Sequence, residues 1–128
     1  MRRFTGIHAI LYALFDAAGE ISRPAMARQV ETCIASGVDG IVVLGLATEV
    51  AKLTEAERVR LMADAAADIA GRVPLGVTIY GNSVPEQAVM LRAAKAAGAS
   101  WVILQPPQTA GLIGRTDQIQ YVAGAFYY

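Results

Sequence analysis

Gly40-Ile41-Val42-Val43-Leu44-Gly45-Leu46-Ala47-Thr48-Glu49, followed shortly by Lys52-Leu53-Thr54-Glu55-Ala56-Glu57-Arg58, decides how this chain folds. The first part is an apolar run, rich in β-branched side chains, that stops at Gly45. It is too short for a helix and has no polar face, so it reads as a parallel strand buried on both sides. Thr54-x-x-Glu57 then opens an alanine-rich helical pattern. The Thr54 hydroxyl can cap that helix while the Glu57 carboxylate reaches back to the cap's own N–H. The loop from Gly45 to Lys52 therefore sits at the carboxyl end of a parallel strand, where α/β proteins place their chemistry. Any active site includes this loop.

Working outward, the same alternation recurs. Residues 7–15 form an apolar run without a helical polar stripe, read as a first strand that ends at the turn signal Asp16-Ala17-Ala18-Gly19. Ser22 can cap a first helix, and Pro24 fits its first turn because its missing N–H would be unpaired there. The pattern predicts that helix from about Ala25 to Ser36, with Met26, Val30, Cys33 and Ile34 on one face and Gly37 as its stop. A second helix, Glu55 to about Ala70, places Val59, Leu61, Met62, Ala66 and Ile69 inward and Arg58, Asp64 and Asp68 outward. Pro74 to Tyr80 is a third strand, Gly81-Asn82 a loop, and Ser83-Val84-Pro85-Glu86 a second capping box. The third helix carries Ala88, Val89, Leu91, Arg92 and Lys95 to Ala97, before Gly98. Trp101 to Leu104 is a fourth strand; Gly111 to Gly114 reads as loop, and Thr116-Asp117 starts a helix toward Tyr128.

The order is β-α-β-α-β-α-β-α, an α/β class with a parallel sheet and right-handed crossovers. The helix-end, glycine and strand junction at Ala35–Leu44 recurs at Ala96–Leu104, two βα units later. Periodicity fits two architectures equally. One is a small open doubly wound sheet; the other is a (βα)4 unit, half of a barrel whose full form takes about 250 residues.

Composition narrows the function classes. The 128 residues carry eleven basic and eleven acidic side chains, for a formal net charge of zero. No basic face suggests nucleic acid as a partner. Hydrophobic residues make up 55% and the mean hydropathy is +0.41. No apolar run approaches the roughly 20 residues of a membrane span, so the surplus is expected in a core or against a partner chain. Cys33 is the single cysteine. It allows no internal disulfide and suits a reducing compartment, and the start lacks a secretory pattern, so a cytoplasmic location is expected.

Four co-linear pieces carry a resemblance. They are Gly6-Ile7 through Phe15-Asp16-x-x-Gly19-x-Ile21; Gly37-x-x-Gly40-Ile41; Gly45-x-x-x-Glu49-x-x-x-Leu53-Thr54-x-x-Glu57-Arg58; and Gln105-Pro106-Pro107. In one register from about residue 4 to residue 122, the chain resembles the dihydrodipicolinate synthase / N-acetylneuraminate lyase family. These are (βα)8 barrels that handle pyruvate or related 2-keto acids through a lysine Schiff base, with no cofactor. The resemblance implies a single domain over residues 1–128 formed by the first half of that barrel. It also implies a lyase or hydro-lyase function for the completed barrel, with a small 2-keto acid as substrate. The family's strand-five tyrosine and strand-six lysine have no counterpart within these 128 residues. Where the family reads Gly-Thr-Thr-Gly-Glu, this chain reads Gly45-Leu46-Ala47-Thr48-Glu49, and Pro106-Pro107-Gln108 replaces Pro-Tyr-Tyr. Those departures resemble the dehydratase-like branches more than true synthases.

Gly45, Leu46, Ala47 and Thr48 are the candidate substrate-binding residues, Leu46 and Ala47 through backbone N–H groups that need no particular side chain. Thr48 is also a candidate catalytic hydroxyl. Glu49 either fixes the turn by pairing with a nearby cation or N–H, or does acid/base work. Lys52 lies on the functional side, whereas Lys95 falls on a solvated helix face; neither has a feature that argues for burial. His8 is the single histidine and falls at the far end of the first strand, so no metal site is expected. Gly81-Asn82-Ser83 reads as an ordinary loop and cap, or as an anion site. Tyr121, Phe126, Tyr127 and Tyr128 make an apolar terminus suited to a partner. Two further readings stand beside the enzymatic one: a non-catalytic half-barrel that forms a homo-oligomer or pairs with a complementing half, and a free-standing domain that binds a small anion.

Overall fold

The structure, a computed structural model, describes residues 5–105. Pro106, Pro107, the expected loop at Gly111–Gly114, the helix from Thr116 and the aromatic terminus lie outside the described residues. Four strands and three helices alternate: β1 (His8–Ile10), α1 (Arg23–Ala35), β2 (Gly40–Val43), α2 (Glu55–Ile69), β3 (Leu75–Ile79), α3 (Val84–Ala96) and β4 (Trp101–Leu104). All neighbouring strands are parallel and lie in chain order, β1-β2-β3-β4. That simple order is the first half of an eightfold barrel. A doubly wound sheet would reverse its strand order partway.

The helix caps follow the sequence chemistry. The Ser22 hydroxyl accepts from Ala25 N–H, with proline in the first turn of α1. At α2 the complete capping box forms: Thr54 Oγ1 accepts from Glu57 N–H, and the Glu57 carboxylate accepts from Thr54 N–H at 2.7 Å. At α3 the Ser83 hydroxyl caps as expected, but the Glu86 carboxylate accepts from Asn82 N–H, one residue earlier than a capping box requires.

The first strand departs from the expected residues 7–15, because pairing to β2 ends with the Leu11 N–H on the Val42 carbonyl. Beyond it the Gln29 side chain satisfies the Tyr12 backbone in both directions, at 2.8 and 3.0 Å. Residues 12–22 then fold into a small turn held by the Asp16 carboxylate and a Phe15–Ile21 bridge. A glutamine on α1 thus replaces a neighbouring strand as the hydrogen-bond partner. That substitution is invisible to hydrophobic periodicity.

Pleating divides the sheet into two faces. Ile41 and Val43 of β2 join Leu75, Val77 and Ile79 of β3 in the core beneath the helices, with Met26, Val30, Leu61, Met62, Ile69 and Met90. Burying each such side chain contributes roughly 1.5–3 kcal/mol relative to exposure. The helix-two reading needs two corrections: Ala65 rather than Val59 is buried, and Asp64 and Asp68 are not simply outward. Arg23 of α1 pairs with both carboxylates, binding Asp68 through two hydrogen bonds that raise the arginine's already high pKa. On α3 the buried residues are Gln87, Met90 and Ala94.

The opposite, concave face carries His8 and Ile10, Gly40 and Val42, Gly76 and Thr78, and Trp101 and Ile103 along the four strands. At its amino end the two outer strands reach across the inner ones. A methyl group at Gly40 would overlap the His8 ring, and one at Gly76 would lie 2.6 Å from the Trp101 ring. The two rings meet edge-to-face with centroids 5.4 Å apart. Two glycines thus make room for a floor built from β1 and β4.

Candidate functional site

At the carboxyl end of β2 the backbone turns through Leu44, which adopts a left-handed conformation (φ 64°) although it is not glycine. Such a residue costs on the order of 1 kcal/mol and persists where its surroundings fix it. Here the Leu44 side chain is fully buried in the core. Gly45 follows in extended geometry, where an added methyl would press against Ile10 Cγ2 at 3.0 Å. Two successive 3-10 turns come next, Leu46–Thr48 and Val50–Lys52, separated by Glu49, itself left-handed at φ 55°. The sequence suggests a plain short loop here; the structure shows a wound, bracketed segment.

Three attachments hold it. Thr48 is wholly buried and its hydroxyl donates to the Leu11 carbonyl at 2.6 Å, tying the turn to the end of β1. Val50 and Leu53 are buried in the core. Arg58 Nε donates to the Val50 carbonyl at 3.1 Å, and its guanidinium lies 4.7 Å from the centre of the Tyr80 ring. Arg58, expected to point outward, is half-buried and joins the turn to the end of β3.

The candidate residues therefore separate. Gly45 is buried, Ala47 half-buried and Leu46 83% exposed. The N–H groups of Leu46 and Ala47 open the first turn and have no acceptor among the backbone bonds there, whereas Thr48 N–H bonds to the Gly45 carbonyl. The Thr48 hydroxyl proton is committed within the fold. Glu49 and Lys52 form a 2.7 Å ion pair with each other and are 60% and 73% exposed, so neither is desolvated. Lys95 is exposed as well. A neutral Schiff-base amine needs burial or a cationic neighbour, and neither lysine has the first.

The loops beyond β3 and β4 complete this end of the sheet. The Gln87 amide donates to the Gln105 carbonyl at 2.6 Å, tying α3 to the end of β4. Asn82 N–H is occupied by the Glu86 carboxylate, so Gly81-Asn82-Ser83 serves as loop and cap. His8 lies at the opposite end, where β1 begins. No cluster of three His, Cys, Asp or Glu side chains able to hold a metal ion occurs among the described residues. Thr78 escaped the sequence reading. It faces the concave side near Gly45, 1% exposed, and its hydroxyl has no hydrogen-bond partner among the described residues. A polar residue inside the otherwise apolar Leu75-Gly76-Val77-Thr78-Ile79 was the signal available.

Known proteins share this sequence pattern and this fold. The sequence model of the dihydrodipicolinate synthetase family matches residues 3–110. The 4-hydroxy-tetrahydrodipicolinate synthase of Salinibacter ruber is 34% identical over 95% of this chain and 42% of its own length. Among solved structures, YagE from Escherichia coli K12, a prophage protein of the dihydrodipicolinic acid synthase family crystallised with pyruvate, superposes with a TM-score of 0.81. It is 27% identical, over 97% of this chain and 42% of that one. CdNal from Clostridium difficile, in complex with mannosamine, gives a TM-score of 0.88 over 98% of this chain and 43% of that one. At 17% identity it bears on the fold alone. The chain spans about two fifths of the length of the curated relatives it matches.

Proposed function

This chain belongs to the dihydrodipicolinate synthetase family, and from that premise we propose that it forms the 2-keto-acid-holding half of a Schiff-base lyase or hydro-lyase. The observation that carries the reading is the Gly45–Lys52 segment. It is rigidly attached at three points, yet it leaves the Leu46 and Ala47 N–H groups without backbone acceptors at the carboxyl end of a parallel strand. Two adjacent donors suit a carboxylate. In this reading Gly45, Leu46 and Ala47 bind the carboxylate of pyruvate or a related 2-keto acid, and Thr48 shapes the turn. Glu49 steadies it through Lys52. The amine that forms the Schiff base comes from outside these residues, because both lysines of the chain are solvated.

The test pairs two measurements on one sample. Pyruvate should raise the thermal midpoint of the protein, while borohydride treatment in its presence should leave the 13.5 kDa mass unchanged. No change in midpoint would remove the 2-keto acid from the reading. A reduced adduct would overturn the division of labour and place the chemistry on Lys52.

A second reading rests on the edges of the sheet. Ile7 and Ile10 on the β1 side, and Val102 and Ile103 on β4, are all exposed. An apolar strand edge of this kind favours association with a second half-barrel, either another copy or a complementing chain. In this reading the chain assembles without turnover of its own. Pyruvate would then leave the thermal midpoint unchanged while light scattering still reports an oligomer.

A further inference from the structure

Thr78 lies between Val77 and Ile79, whose side chains are fully buried in the helix-side core. Strand pleating therefore turns Thr78 onto the concave face, in register with Ile103 of β4. Its hydroxyl is buried and makes no hydrogen bond among the described residues. A buried polar group left in that state costs about 1–3 kcal/mol, and a valine of the same shape would avoid the cost. The strand therefore tolerates a local penalty at this one position. The penalty is relieved if something that enters the site completes the bond.

The surroundings say where that partner sits. A methyl group at Gly45 would lie 3.8 Å from Thr78 Oγ1. Gly45, which carries no side chain, thus lies beside the hydroxyl at the turn after β2, with Ile10 Cγ2 packed 3.0 Å from the same point. The other hydroxyl at this turn, on Thr48, already donates to Leu11.

We propose that Thr78 is a substrate-contacting residue whose hydroxyl donates a hydrogen bond to an oxygen of a small 2-keto acid seated over Gly45. The inference rests on the 2-keto acid reading above and adds to it a contact from the third strand. The hydroxyl, without a partner inside the described fold, turns its proton toward the anion and gains a charge-assisted bond.

The experiment compares the intact chain with Thr78→Val, Thr78→Ser and Thr48→Val, measuring the thermal midpoint without ligand and across a pyruvate titration. Thr78→Val should unfold at the same temperature as the parent or higher, and should bind pyruvate roughly tenfold more weakly, the loss expected for one bond to a charged group. Thr78→Ser should keep the parent affinity. Thr48→Val should unfold at a lower temperature, because it strands the Leu11 carbonyl. Unchanged pyruvate affinity in Thr78→Val, or a clear loss of its ligand-free stability, would overturn the assignment while leaving the 2-keto acid reading intact. A parent chain that does not respond to pyruvate overturns both together.

Discussion

Thr48 and Thr78 carry the same functional group with opposite circumstances. The Thr48 hydroxyl is buried and bonded, so Thr48→Val should cost about 1–3 kcal/mol by leaving the Leu11 carbonyl unpaired, read as a lower midpoint in chemical denaturation. The sequence places Thr48 beside the substrate because a hydroxyl in an active-site loop is a natural donor. It gives no sign that Leu11, 37 positions away, already claims that proton. The pairing of Glu49 with a cation was legible, since Lys52 stands three residues on. That bond is exposed at both ends, so Lys52→Ala should change stability by less than about 1 kcal/mol in the same assay.

Secondary elements were the most legible level, because caps and glycine stops are local. The Thr54–Glu57 box was readable outright, and Thr54→Ala should lower stability by about 1 kcal/mol. The same box sets a pH dependence. The Thr54 backbone N–H, and then its hydroxyl, hold the Glu57 carboxyl below the usual glutamate value. A carboxylate with a depressed folded-state pKa stabilises the protein above its unfolded pKa, and that contribution disappears as pH falls through the folded value. Thermal midpoints should therefore fall on acidification below the ordinary glutamate range, and Glu57→Gln should flatten the fall. Glu31, held low by its bonds to Arg72, adds a second component that remains in that variant. The features that escaped the sequence at this scale are non-local: the Gln29 side chain that shortens β1, and the bracketed winding of residues 44–53.

For the whole molecule, periodicity could not choose between an open sheet and a half-barrel; the strand order β1-β2-β3-β4 does. Among the described residues the sheet has two outer strands, with Ile10 and Ile103 exposed on the concave side. Light scattering should report a mass above 13.5 kDa, and Ile103→Lys should shift it toward the single-chain value by placing a charge on that face. A stable monomer in the parent chain would argue against association through these strands.

The floor of the concave face has a practical use. Trp101 is the sole tryptophan of the chain, and its ring stands edge-on to His8 over two glycines. Indole emission depends on the polarity around the ring, so this molecule carries its own fluorophore at the point where an opposing half-barrel would close. Docking should move the emission maximum to shorter wavelength without any attached dye. Dilution should reverse the change with the midpoint of the association itself.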